Sequence, residues 1–143
     1  FPEIRKARYN KDFYFGFYCT KIAEQAKRWA TRYGGVGYIN KYEYIPNENL
    51  KYLIFPEMTE EWLDFIIACR RGIPHTFDIV EGPMADDTIY NYVQNYMDGK
   101  ISRAAFWELA KFKYPTHQIS FHTISALDTL TFLGSEAADG NEK

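Results

Sequence analysis

Asp12–Thr20 reads DFYFGFYCT, with five aromatic rings around Gly16 just ahead of a helix-forming run. A tyrosine presents a flat apolar face and a hydroxyl that needs a partner. A row of such rings therefore suits a half-buried strand or the wall of a ligand cleft. A second group is Gln118-Ile119-Ser120-Phe121-His122. Side chains alternate along a strand, so Gln118, Ser120 and His122 share one face and can line one groove. A third is the turn Glu81-Gly82-Pro83 with Asp86-Asp87 after it. Those carboxylates can cap a helix and complement its dipole, or position a substrate and accept its proton at the mouth of a cleft. The fourth is a charge asymmetry. Residues 1–41 carry nine Lys/Arg against three Asp/Glu, and residues 42–143 carry eight against sixteen. A mixed solvated surface accounts for it, and so does an anionic ligand, a diphosphate or a nucleic acid.

Other chemistry finds little support. His75, His117 and His122 lack metal-ligand spacing with any Cys or acidic cluster, so no metal is expected. Each histidine reads as a satisfied surface or strand-edge residue. Cys19 and Cys69 sit in apolar contexts and read as buried reduced thiols. The phosphate-loop, dinucleotide, zinc-protease and nucleophile-elbow patterns are all missing. There is no signal peptide and no apolar run near the length of a membrane span, which predicts a soluble, cytoplasmic chain.

The elements that must position these residues follow from periodicity. The chain has 143 residues, 46% apolar and 18% aromatic, enough for one domain with a core of its own. Asp12–Thr20 reads as a strand, with Phe13, Phe15 and Phe17 alternating toward the core. Lys21–Arg32 reads as a helix with Ile22, Ala23, Ala26, Trp29 and Ala30 inward, capped by Thr20 and ended by Gly34-Gly35. Strands are expected over 36–44, 51–55, 77–80, 118–123 and 131–133. Helices are expected from the Thr59 cap to Arg71, from Asp86-Asp87 to Asp98-Gly99, from the Ser102 cap to Lys113, and over 124–130. Helices and short strands are interspersed without regular βαβ spacing, which predicts an α+β fold. The domain is expected over residues 1–136, with a flexible polar tail over 137–143.

The aromatic strand followed by an Ala-rich helix resembles the tyrosine element of ADP-ribosyltransferases of the diphtheria-toxin and poly(ADP-ribose) polymerase type. Trp62-Leu63-Asp64-Phe65 through Arg70, Phe77 through Asp87, and Gln118-Ile119-Ser120-Phe121-His122-Thr123 are similar to a small bacterial branch of that superfamily, known mainly as a domain of unknown function. The resemblance covers most of residues 2–133. It implies a split, mixed and antiparallel β core with flanking helices, and NAD+ as substrate with no metal. It implies that Tyr18 stacks on nicotinamide and that Gly16, Phe17 and Thr20 line the same NAD+ site. Gln118 would contact the nicotinamide ribose as the catalytic polar residue. Glu81, Asp86 and Asp87 would face the acceptor or form a structural turn. The acceptor would be a protein or a nucleic acid, and the chain would be the toxin of a bacterial toxin–antitoxin pair, with an antitoxin protein as a partner.

The chemistry is compatible. Loss of nicotinamide passes through an oxocarbenium-like state, and the enzyme must chiefly clamp the dinucleotide, stack the leaving ring and stabilise positive charge. The chain departs from the family pattern at specific places. Tyr14 stands where the tyrosine element has its first glycine. Gln118 stands where the family has a glutamate, and glutamine bonds a hydroxyl but cannot ionise. Its base role would be lost or shared by Asp86, Asp87 or Glu81. The family's histidine-bearing first strand is expected upstream of Phe1, which predicts impaired catalysis by this chain alone. The residues leave two other readings open: a non-catalytic nucleotide- or protein-binding module of the same fold, and a nucleic-acid binder using Arg5, Lys6, Arg8, Lys11, Lys27, Arg28 and Arg32.

Overall fold

The computed structural model describes residues 13, 16–31, 36–85, 87–111 and 116–139. In chain order its elements are β1 (Phe17–Cys19), α1 (Ala23–Ala30), β2 (Val36–Tyr44), β3 (Tyr52–Ile54), α2 (Glu60–Arg70), β4 (Ile79–Gly82), α3 (Asp87–Met97), α4 (Arg103–Ala110), β5 (Gln118–Phe121), α5 (Ile124–Leu127) and β6 (Leu130–Asp139). The fold is α+β. One sheet has the order β1-β5-β4-β3, with β5 antiparallel to both neighbours and β3 parallel to β4. A second, two-stranded sheet pairs β2 with β6.

The period of two in each strand divides the core between the faces of the larger sheet. Val80 belongs to one cluster with Phe13, Phe55, Trp62, Leu63, Ile66, Ile89, Val93 and Phe106. Its neighbour Ile79 belongs to the other, with Ile119, Phe121 and Ala126. Helices α2, α3 and α4 thus cover one face. The β2–β6 ribbon and α5 cover the opposite face through Tyr44, Ala126, Leu127 and Leu130.

Local signals explain the helix bounds. Thr59 accepts the Trp62 N–H to start α2, and Ser102 accepts the Ala105 N–H to start α4. Helices α2 and α3 both close in Schellman turns. Gly72 and Ile73 donate to Cys69 and Ala68, and Gly99 and Lys100 donate to Tyr96 and Asn95. The Trp62 indole N–H donates to the Pro83 carbonyl at 2.9 Å and ties α2 to the turn after β4.

Several expected bounds move. The described part of the first strand is only Phe17–Cys19, and its residues divide between the faces: Phe17 packs in the Ile79 cluster, called the lower face, while Tyr18 packs with Phe13 in the Val80 cluster, called the upper face. Phe15, also expected to face inward, lies outside the described residues, as do Tyr14, Arg32, the Gly34-Gly35 stop and Lys113. Glu81 and Gly82 belong to β4 rather than to a turn. Helix α5 ends at Leu127, earlier than its expected end. Strand β6 is far longer than expected and includes residues 137–139, where the sequence predicts a tail. Its pattern is hidden because its stabilisation is backbone pairing plus polar contacts: Lys41 pairs with Glu136 at 2.7 Å, and the Ser135 hydroxyl donates to Asn40 at 2.6 Å. In α1, Ala23 is exposed and Gln25 is buried, reversing the expected face at these two positions.

Gly82 is a packing requirement. A Cβ there would lie 3.0 Å from the Phe55 Cβ and 3.3 Å from the Phe55 carbonyl oxygen. Gly82→Ala is expected to destabilise the chain by about 1–3 kcal/mol through overpacking. Urea unfolding of the two proteins measures it, and an unchanged midpoint would contradict this packing.

Candidate functional site

The β1–β5 ladder sets Tyr18 across from Ser120 and Phe17 across from Phe121. Paired residues in an antiparallel ladder share a face, so Tyr18, Ser120 and, two residues along, Gln118 lie on the upper face. Tyr18 is half-buried. Its hydroxyl accepts the Phe13 N–H at 3.1 Å. Its ring lies near-parallel to that of Phe13, with centroids 6.5 Å apart, and meets His122 edge-on at 6.3 Å.

A chain of hydrogen bonds assigns the protons around it. Ser120 is fully buried, and its hydroxyl donates to the Val80 carbonyl at 3.1 Å. The same oxygen therefore accepts from His122 Nε2, 2.7 Å away. His75 Nε2 donates to the Phe13 carbonyl at 2.9 Å, and its Nδ1 accepts the Phe77 N–H at 3.1 Å, which defines a neutral ring. Burial holds His75 below the ordinary histidine range, with the Phe13 bond opposing that shift. His75 and His122 meet edge to face at 4.4 Å. Gly16 lets His122 approach: a Cβ on Gly16 would come within 2.8 Å of its Nδ1 and 3.0 Å of the Phe121 carbonyl oxygen.

Gln118 opens β5 opposite Gly82 and is only 6% exposed. The residues before it are anchored on two sides. Thr116 Oγ1 accepts the Met84 N–H and donates to the Met84 carbonyl, both at 2.9 Å. The Gln25 side-chain amide accepts the His117 N–H at 3.1 Å and donates to the His117 carbonyl at 2.7 Å. His117 Nδ1 accepts the Lys21 N–H at 3.1 Å, and Nε2 donates to Glu81 at 2.8 Å. Lys21 Nζ also reaches Glu81, at 3.2 Å. Burial pushes the Glu81 carboxyl up, but the bonds from His117 and Lys21 outweigh it and hold the group below its ordinary value.

The structure therefore brings together part of the sequence-selected set. Tyr18, Gly16 and His122 meet on the upper face, which Gln118 shares by register. Phe17 faces the lower cluster and meets Tyr42 edge-on at 5.8 Å. Thr20 Oγ1 accepts the Ile22 N–H in a turn leading into α1 and lies 3.3 Å from His117 Nδ1. Glu81 pairs in register with Ile119, on the opposite face from Tyr18. Asp87 is the first residue of α3, and Asp86 lies outside the described residues. His117, expected at a surface or strand edge, is satisfied but buried. Sequence reasoning missed Gln25 and Thr116, and the one available signal was a glutamine interrupting the inward positions of α1. A cavity of about 340 Å³ lies elsewhere, lined by Asp64, Ile67, Arg71, Ile73, Tyr96 and Arg103 among others. None of the residues selected for chemistry lines it.

The model of a family described as "Protein of unknown function (DUF3990)" matches residues 1–132. The chain belongs to that family. No curated protein and no solved structure matches it. Two properties of this DUF3990 domain concern its surroundings. Among the described residues, no helix is long and apolar enough to cross a membrane. Among them also, no cluster of three or more His, Cys, Asp or Glu is arranged to hold a metal ion.

Gly16→Ala in this DUF3990 domain is expected to displace the His122 ring, read as a change in the His122 imidazole NMR signals with the α2 signals unmoved. Acid is expected to destabilise the fold in two stages. His75 has a depressed folded pKa, so the unfolded chain takes up its proton first and stability declines as pH falls below about 6.5. Glu81 also has a depressed folded pKa, so its contribution is complete above about pH 4.3 and is lost below it as pH falls through the folded value. Urea unfolding against pH is expected to show a flatter upper stage in His75→Asn and a flatter lower stage in Glu81→Gln. Unaltered slopes would contradict these assignments.

Proposed function

We propose that this domain is an NAD+-dependent ADP-ribosyltransferase, moving ADP-ribose from NAD+ to a protein or nucleic-acid acceptor, and that it serves as the toxin of a bacterial toxin–antitoxin pair. The observation that carries the reading is the β1–β5 ladder, in which Tyr18 pairs with Ser120 two residues from Gln118. This pairing joins two of the sequence elements that resemble the transferase superfamily into one polar and aromatic face.

In this reading the Tyr18 ring lies against nicotinamide, while the Gln118 amide bonds a hydroxyl of the adjoining ribose. The glycosidic C1′–N bond breaks, and its electron pair leaves with neutral nicotinamide. A lone pair of the acceptor forms the new bond to C1′, and the acceptor gives up a proton. Gln118 orients the ribose and does not take that proton, because an amide has no accessible basic state. The bonds that hold the Glu81 carboxyl below its ordinary value make it a weaker base, and it faces away from Tyr18 and is held by His117 and Lys21. Its role in this reading is to hold the end of the sheet. Lys21, largely exposed, is paired with Glu81, and its charge is offset there.

A second reading, a non-catalytic module of the same fold, is favoured by one observation. The Tyr18 hydroxyl is taken by the Phe13 N–H, and Gln118 is nearly fully buried. Calorimetric titration with NAD+ and a nicotinamide-release assay separate the two. The transferase reading expects NAD+ binding with release of nicotinamide. It expects Tyr18→Ala to weaken binding roughly tenfold or more through lost stacking, and Tyr18→Phe to keep most of it. Binding without release favours the module. No binding by the domain overturns the transferase.

A further inference from the structure

We infer that Gln25, acting through His117, is a positioning residue that sets the place of Gln118 relative to Tyr18. The inference rests on the transferase reading for its functional consequence, but its structural part stands on hydrogen bonds alone. Gln25 is 3% exposed. Burying a primary amide is costly unless both its ends are bonded. Here both ends meet the same residue, at the N–H and the carbonyl of His117. That two-bond pairing holds the His117 backbone as a residue on a neighbouring antiparallel strand would.

The need for it comes from where the ladders stop. The β1–β5 pairing ends at Cys19 with Ile119, and the β4–β5 pairing ends at Gly82 with Gln118. At His117 no strand of the sheet remains on either side among the described residues. Gln25 supplies the missing partner toward α1, and Thr116 supplies it toward the β4–α3 turn through its two bonds to Met84. The His117 ring adds a third tie, because it bonds both the Lys21 N–H and Glu81. Both ring nitrogens are thereby engaged, and His117 holds rather than reacts. Helix α1 begins just after the Tyr18 strand. Gln25 therefore links the element that follows Tyr18 to the residue that precedes Gln118. Glutamine is required because the site needs an acceptor and a donor; a carboxylate can supply only the first.

The test uses the full 143-residue chain with Gln25→Met, which removes both bonds, and Gln25→Glu, which keeps the acceptor if the first variant fails to fold. Without ligand, amide exchange is expected to speed up at least about tenfold at His117 and Gln118, with α2 and α3 protection unchanged. An unchanged rate at His117, or a uniform rise across the chain, overturns the tie. With NAD+ as probe, calorimetry compares Gln25→Met, Gln118→Ala and the double variant. Gln118→Ala is expected to lose about three- to tenfold in affinity, the worth of one hydrogen bond. If Gln25 acts through Gln118, the double variant loses no more than Gln118→Ala alone. Additive losses overturn the positioning role. Absence of NAD+ binding by the unaltered chain sinks the transferase reading instead, and the exchange rates then decide the structural tie by themselves.

Discussion

Antiparallel pairing on both sides of β5 is the constraint on which the rest depends. This four-residue strand is buried at every position and hydrogen-bonded to β1 and β4 at once. Its backbone groups have no access to water, so each ladder bond offsets a desolvation that would otherwise oppose folding. Its alternating side chains then have no choice of surroundings. Ile119 and Phe121 must join the apolar lower cluster, and Gln118 and Ser120 must find polar partners on the upper face. A slip of one residue would exchange these sets and bury the polar pair in the lower cluster.

The polar side chains at the two ends of the sheet follow from the same constraint. At one end, Asp78 accepts the Lys51 N–H and the Thr123 hydroxyl, and its carbonyl accepts the His122 N–H. The Lys51 N–H bond, with smaller help from Thr123, holds its carboxyl below the ordinary range against the opposing effect of burial. At the other end, Thr116, His117, Gln25 and Glu81 carry the chain from the helices into β5. Each group satisfies a donor or acceptor that the ladder leaves over. The histidines are consequently structural as found, with every assigned proton spent on a neighbour. Any ligand chemistry on the upper face must work with side chains that are already oriented.

Aromatic residues provide the apolar counterpart. Phe13, Phe55, Phe65 and Phe77 adjoin His75 and Tyr18 in a network in which Phe13 and Tyr18 are near-parallel and the other rings meet tilted or edge-on. Such pairs favour offset and edge-to-face contacts over a face-to-face sandwich. This explains how a chain so rich in Tyr and Phe packs without long aliphatic runs. Cys19, on the lower face, joins that apolar environment: burial pushes its thiol up to about 12, so it remains protonated and inert.

The sequence by itself determined the element types, the α+β class and the caps at Thr59 and Ser102, because these depend on periodicity and on hydrogen bonds within a few residues. It also singled out Tyr18, Gln118 and His122, and alternation alone set Gln118, Ser120 and His122 on one face. Only the tertiary structure decided that Tyr18 lies across from Ser120, that Glu81 belongs to the opposite face, and that Gln25 is buried against His117. It also decided that β6 runs to Asp139, since polar residues there are held by a partner strand distant in sequence. Strand register and the partners of a buried amide are fixed by groups far apart along the chain. Local pattern carries no information about which of them will meet.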